Sequence, residues 1–115
     1  MVAVRTKRIY EAPEDGDGHR ILVDGIWPRG VSKERAALDR WMPDVAPSSE
    51  LRQWFGHEPE KWDEFQLRYR AELEASPDLD ELAAIAATGP TTLLYSARDE
   101  THNQAVALAA VLDER

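Results

Sequence analysis

Two polar segments of the chain carry the residue types from which binding and catalytic sites are built. The first segment holds Asp24, Trp27, Arg29 and Lys33, and the second holds Ser96, Arg98, Asp99, His102 and Asn103. Each segment begins at the end of a short apolar run, residues 20–24 or 91–96, that is typical of a buried strand. In an open α/β sheet, ligands bind beyond the carboxyl ends of the strands because loops converge there. If these two strands are neighbours, the segments predict a pocket for a small anionic or phosphorylated ligand.

Within this predicted pocket, Asp24 and His102 are the candidate catalytic residues. Carboxylates and imidazoles are common general acids and bases. His102 falls in the first turn of the last predicted helix, where the helix dipole disfavours the charged imidazolium and leaves a neutral base. The remaining candidates would bind the ligand, through charge, hydrogen bonds or an aromatic wall: Trp27, Arg29, Lys33, Arg98, Asp99 and Asn103.

Each candidate also has a purely structural interpretation. Asp24 can anchor its own loop, and Trp27 can pack as an anchor instead of lining a pocket. His102 can be an ordinary surface histidine, and the same choice is open for His57, which follows Gly56. Asp99 is a favourable N-cap, so we expect its carboxylate to cap a helix over residues 100–114 and not to face His102.

The elements that position these residues follow from hydrophobic spacing and turn chemistry. Alternation over residues 2–10 predicts a first strand, and residues 11–18 are rich in Pro, Gly and Asp and predict a loop. Apolar stripes predict one helix that begins near residues 48–49 and three more over residues 58–74, 77–88 and 100–114. Residues 38–45 fit either a short helix or an extended segment. The alternation of strands and helices predicts one α/β domain over residues 1–115, with a mainly parallel or mixed sheet and helices on both faces.

Composition excludes several classes of function. The 115 residues contain no cysteine, which excludes thiol nucleophiles, disulfides and thiolate metal sites. The net charge of -8 arises entirely after residue 57 and argues against a nucleic-acid partner. No apolar run approaches the roughly 20 residues that span a bilayer, so we expect no membrane segment and a cytoplasmic location.

Standard catalytic motifs do not identify a reaction. The glycine-rich phosphate loops, the Gly-x-Ser-x-Gly elbow and the His-Glu-x-x-His helix are all absent from the sequence. His19, His57 and His102 are too scattered to define a metal site, so we assign no metal ligands. The sequence indicates no particular cofactor, and it does not determine the oligomeric state.

Four segments spread over most of the chain resemble the DUF488, YeaO-like family of small bacterial proteins. These are residues 20–30 (RILVDGIWPRG), 47–57 (PSSELRQWFGH), 62–73 (WDEFQLRYRAEL) and 92–103 (TLLYSARDETHN). The resemblance implies an α/β fold and a pocket. The family pattern usually has an arginine where this chain has Gly25, so no cationic role can be carried over to that position. More distant relatives have a cysteine-containing motif near the last strand, and the absence of cysteine here argues against sulfur chemistry.

The competing hypothesis is a non-catalytic protein- or peptide-binding module. In this alternative, Trp27, Pro28 and the same loops form an apolar surface for a partner. A contiguous exposed apolar patch around Trp27 would favour the module, whereas a deep polar pocket would favour the small ligand.

Overall fold

The computed structural model describes residues 4–115, which form a parallel β-sheet packed between helices. The strands of this part of the chain are β1 (Val4–Arg8), β2 (His19–Leu22), β3 (Arg40–Trp41) and β4 (Thr91–Tyr95). Their order across the sheet is β1-β4-β2-β3, and every neighbouring pair is parallel. The α/β class is confirmed, and the sheet is parallel throughout. All five residues of β4 are buried, as expected for a central strand in such a sheet.

Five α-helices lie in the described part of the chain: α1 (Lys33–Ala36), α2 (Ser49–Phe55), α3 (Trp62–Glu74), α4 (Pro77–Ala86) and α5 (Gln104–Asp113). Three of them, α1, α2 and α5, begin with a side-chain cap. The Ser48 side chain accepts a hydrogen bond from the Leu51 N–H at the start of α2, and Gly56 ends α2 in the left-handed conformation. None of the helices between residues 4 and 115 is long and apolar enough to cross a bilayer.

The two faces of the sheet pack against different layers. Ile21, Val23, Leu93 and Tyr95 point into a large core that also contains apolar residues of helices α2 to α5. Leu22 and Leu94 point to the opposite face, where a smaller cluster includes Val31 and, from α1, Ala36. The period of two along each strand therefore separates the two cores.

Several predicted boundaries need correction. The first predicted strand covers residues 2–10, of which 2 and 3 lie outside the described residues, and β1 ends at Arg8. The segment that fitted either structure contains both β3 and a 3-10 turn, Pro43–Val45. The helix predicted from residue 58 starts with the 3-10 turn Pro59–Lys61 and becomes α-helical only at Trp62. The helix predicted over 77–88 ends at Ala86.

A buried ion-pair network lies between β1, β2 and the connection that joins them. Asp17 is 5% exposed, accepts from Arg20 Nη1 at 2.5 Å, and forms an ion pair with Lys7 at 3.2 Å. Arg20 also donates to the Ala36 carbonyl at 2.8 Å. Burial favours the neutral form of Asp17, but hydrogen bonds from the Glu14 N–H, Lys7 and Arg20 outweigh it and lower the Asp17 pKa below 3.8. The network has a structural role, because it joins the connection to β1 through Lys7 and to β2 through Arg20.

Candidate functional site

The carboxyl ends of β2 and β4 are neighbours, and they bring Asp24 and Ser96 together. The Val23 N–H donates to the Leu94 carbonyl at 3.0 Å, which continues the pairing of the strands to the residue before Asp24. Asp24 is 7% exposed, and its Oδ2 accepts from the Ser96 N–H at 3.0 Å. Its Oδ1 accepts from Nε2 of Gln104, the first residue of α5. The predicted adjacency of the two polar segments is therefore present at this edge of the sheet.

A cavity of about 310 Å³ opens beside Asp24. Its polar wall consists of Asp24, Arg52, His57, Ser96, Asn103 and Gln104. Its apolar wall consists of Ile26, Ala46, Pro47, Phe55, Phe65 and Ala97. The volume lies at the small end of the range for ligand pockets, and the mixture of apolar and polar walls is typical of such pockets.

The apolar wall is fixed by the packing of helices α2 and α3. The Phe55 and Phe65 rings stack with their centroids 4.4 Å apart, and both side chains are at most 5% exposed. The wall on the loop side is held by Tyr69 of α3, whose buried hydroxyl donates to the Val45 carbonyl, next to Ala46. This wall is therefore formed before any ligand arrives.

Two charged groups of opposite sign share the cavity without pairing. The Asp24 pKa is raised because burial disfavours its charged form, and hydrogen bonds from Ser96 and Gln104 and the charge of Arg52 offset only part of this effect. Arg52 is exposed, and within residues 4–115 its guanidinium forms no ion pair with Asp24 or with any other carboxylate. A Cβ built on Gly25 would lie 3.9 Å from Arg52 Nη1, so the guanidinium lies over the residue that follows Asp24.

Of the eight predicted site residues, the cavity wall contains Asp24 and Asn103. Trp27 lies with the smaller core on the other face of the sheet, and its Nε1 donates to the Val31 carbonyl at 2.7 Å. Lys33 is the first residue of α1, and the Arg29 carbonyl accepts from the Tyr10 hydroxyl at 3.1 Å. The loop after Asp24 therefore turns toward that other face and takes Trp27, Arg29 and Lys33 away from the cavity wall.

The prediction that Asp99 caps the last helix is wrong. Helix α5 begins at Gln104, and its N-cap is Asn103, whose Oδ1 accepts from the Val106 N–H at 3.1 Å. Asp99 closes a turn earlier in the chain, where Oδ1 accepts from the N–H groups of Thr101 at 2.9 Å and His102 at 3.0 Å. These backbone hydrogen bonds lower the Asp99 pKa to about 2, and the bond from Thr101 has the largest effect.

His102 therefore precedes the helix and does not lie in its first turn, where the helix dipole was expected to disfavour its charged form. Its Nδ1 lies 3.0 Å from Asp99 Oδ2, so the Asp99 carboxylate faces the ring, contrary to the prediction. The ring packs edge-on against Trp62, with centroids 5.4 Å apart, and Trp62 stacks on Phe65 of the cavity wall. Arg98 is exposed, and neither it nor Asp99 and His102 lines the cavity. The His102 ring is linked to the cavity wall through Trp62, which stacks on Phe65.

Sequence reasoning missed two polar members of the cavity wall, Arg52 and Gln104, and left the role of His57 open. Arg52 lies on a short amphipathic helix and has the spacing of an ordinary solvated arginine, so no local pattern separates it from one. Gly56 and His57 both adopt the left-handed backbone conformation, with φ of 54° and 57°. After these two residues turn the chain, His57 lines the cavity. Among residues 4–115 no cluster of three or more His, Asp and Glu side chains could hold a metal ion.

Comparison with known proteins places the chain among relatives of similar length. The profile of a family described as "Inactive DUF488-N3 subclade" matches residues 3–115. The chain is 45% identical to "Uncharacterized protein YeaO" of Escherichia coli over 107 residues, which cover 92% of this chain and 93% of that protein. It is 42% identical to "Uncharacterized protein Rv3073c" of Mycobacterium tuberculosis over 112 residues, which cover 97% and 95%. No solved structure matches the chain.

Proposed function

Because this chain belongs to the DUF488 family, and to a subclade described as inactive, we propose that it is a cytoplasmic domain that binds a small anionic molecule without converting it. The proposed binding site is the cavity at the carboxyl ends of β2 and β4. The observation that carries the proposal is Arg52, an arginine on the cavity wall that forms no ion pair within the described residues. A guanidinium with free donors binds carboxylates and phosphates well, since its planar fork matches two oxygens.

The arrangement supports binding better than catalysis. Both carboxylate oxygens of Asp24 already accept hydrogen bonds, from Ser96 and from Gln104, so Asp24 is engaged as an anchor. His102, the other predicted catalytic residue, is outside the cavity wall. The proposed site takes Asp24 and Asn103 from the predicted set and adds Arg52, His57 and Gln104. The roles assigned from sequence to Trp27, Arg29, Lys33, Arg98, Asp99 and His102 stay predictions.

The test is a thermal-shift and calorimetric screen of small carboxylates, inorganic phosphate and phosphate monoesters. A ligand present at about 100 times its Kd stabilises a protein by roughly 2.7 kcal/mol. We expect at least one anion to bind, and we expect Arg52→Gln to weaken its binding at least tenfold.

The matched control is Arg35→Gln, because Arg35 is also exposed, forms no ion pair in the described part of the chain, and lies on α1 at the other face. The proposal fails if no anion binds at millimolar concentration. It also fails if Arg52→Gln and Arg35→Gln bind the anion equally well.

A second candidate function, a surface for a protein or peptide partner, draws on three apolar side chains near the sheet edge. Ile26 is 65% exposed and Trp41 is 40% exposed, and the Trp27 and Trp41 rings pack edge to face with centroids 5.4 Å apart. Trp41 belongs to β3, which is an edge strand. Self-association that rises with concentration in sedimentation velocity, and that Trp41→Ser abolishes, would favour this candidate.

A further inference from the structure

The cavity is lined by a buried carboxyl group, that of Asp24, and by an exposed cation, the guanidinium of Arg52. Asp24 lines the cavity and is 7% exposed, whereas Arg52 lines it from α2 and is exposed. No nitrogen of Arg52 comes within 4.0 Å of a carboxylate oxygen of Asp24. Since Arg52 lies over Gly25, the two charged groups stand on adjacent parts of the wall. A ligand that carries one charge satisfies only one of them.

Asp24 retains the capacity to accept a further hydrogen bond. An ionised carboxylate has about four acceptor positions. The Ser96 N–H and the Gln104 side-chain amide use two of these positions. A cationic donor that enters the cavity would occupy a further position and would also favour the ionised form that burial disfavours.

The size and the walls of the cavity limit what can carry these charges. A cavity of about 310 Å³ lies at the small end of the range for ligand pockets, so its size favours a small molecule over a nucleotide or another large phosphorylated molecule. Phe55, Phe65 and Pro47 offer an apolar surface to the rest of the ligand.

We infer that the cavity binds a small zwitterion with an apolar body, of the class of the aliphatic α-amino acids, whose carboxylate meets Arg52 and whose ammonium meets Asp24. This inference rests on the proposed function, because it identifies the bound anion as one end of a bipolar molecule. Opposite charges at the two ends also fix the orientation of the ligand, with its side chain on the phenylalanine wall.

The test compares three molecules of the same shape by isothermal titration calorimetry: L-leucine, 4-methylpentanoate, which lacks the ammonium group, and 3-methylbutylamine, which lacks the carboxylate. We expect leucine to bind at least tenfold more tightly than either analogue. In Asp24→Asn, leucine should fall to the affinity of 4-methylpentanoate, while 4-methylpentanoate itself changes less than threefold. In Arg52→Gln, leucine and 4-methylpentanoate should both weaken at least tenfold, and Arg35→Gln should bind like the parent chain.

The results separate the two proposals. If 4-methylpentanoate binds as tightly as leucine, the zwitterion is wrong and the anion pocket stands. If phosphate or another anion binds in an Arg52-dependent way and leucine does not, the zwitterion is again wrong. If no anion and no amino acid binds, both proposals fail. The comparison of the three molecules on the parent chain decides the point even where Asp24→Asn does not fold.

Discussion

Removing the Tyr69 hydroxyl tests whether one buried hydrogen bond holds the loop wall of the cavity. Tyr69 is 1% exposed, and its hydroxyl donates to the Val45 carbonyl. In Tyr69→Phe the ring keeps its packing, but the carbonyl loses its donor in a place that water does not reach. An acceptor left unsatisfied in this way costs about 1–3 kcal/mol, and we expect about 1–2 kcal/mol because the ring itself is retained.

The size of the domain converts this free energy into a melting temperature. At about 2.1 cal/mol/K per residue, the unfolding entropy of 115 residues is about 0.24 kcal/mol/K, so the loss corresponds to a decrease in Tm of about 4–8 °C. The measurement is thermal unfolding followed by circular dichroism, together with urea unfolding at 25 °C.

The matched control is Tyr10→Phe. The Tyr10 hydroxyl donates to the Arg29 carbonyl at 3.1 Å, but this contact is exposed to solvent. Water can replace the lost donor, so we expect a change below about 0.5 kcal/mol. A Tm of Tyr69→Phe within 1 °C of the parent chain, or equal to that of Tyr10→Phe, would refute the argument that burial makes the Tyr69 hydrogen bond strong.

Three further predictions concern the backbone and the two buried aspartates. Gly18 has φ 64°, and a Cβ there would lie 2.0 Å from the Pro90 carbonyl oxygen; Gly18→Ala should therefore abolish soluble expression or lower Tm far more than Gly30→Ala, whose Cβ meets no atom within 4 Å. Because the Asp17 pKa is lowered below 3.8, its stabilising effect is present above that pH and is lost as the pH falls through the folded value; the stability difference between the parent chain and Asp17→Asn in urea unfolding should shrink from pH 7 to pH 2. The Asp24 pKa is raised above 3.8. Its ionisation therefore lowers the free energy of unfolding as the pH rises from 3.8 through the folded pKa. An NMR titration in which the Asp24 carboxyl has a midpoint below 3.8 would contradict this prediction.

Helices and strands with strong local signals could be predicted from the sequence. For the sheet, only its α/β class could be predicted, and its strand order could not. The runs at 20–24 and 91–96 each contain three consecutive apolar residues, 21–23 and 93–95, which is why the sequence predicts buried strands there. β3 has two residues, both exposed, and carries no period that distinguishes it from a loop. Its position depends on pairing with β2, which is a contact between distant parts of the chain.

The start of α5 shows how several good local signals can compete. Asp99, Thr101 and Asn103 are all residues that can cap a helix. The choice among them depends on where the buried stripe begins, and Ala105 is the first buried residue of α5. Sequence spacing favoured Asp99, whereas tertiary packing selects Asn103.

The candidate site was predictable only where strands end. Asp24 follows a buried strand, and that position is visible in the sequence. Arg52 and Gln104 come from helices that reach the strand ends only after folding, and their residue types are common on any helix surface. The contact between Gln104 and Asp24 spans 80 positions of the chain, a separation that no local pattern reports.

The position of β4 between β1 and β2 determines when the sheet can assemble during synthesis. β1 pairs with β4 and not with β2, so neither strand has its central neighbour until Thr91–Tyr95 has been made. At roughly 5–20 residues per second, a ribosome needs about 4–15 s to proceed from Leu22 to Tyr95. Throughout this interval Ile21 and Leu22, which end at 0% exposure, have no sheet partner in β4 to cover them. The sheet therefore cannot be completed until the strand that comes last in the chain has been made, and its completion requires pairing on both sides of that strand.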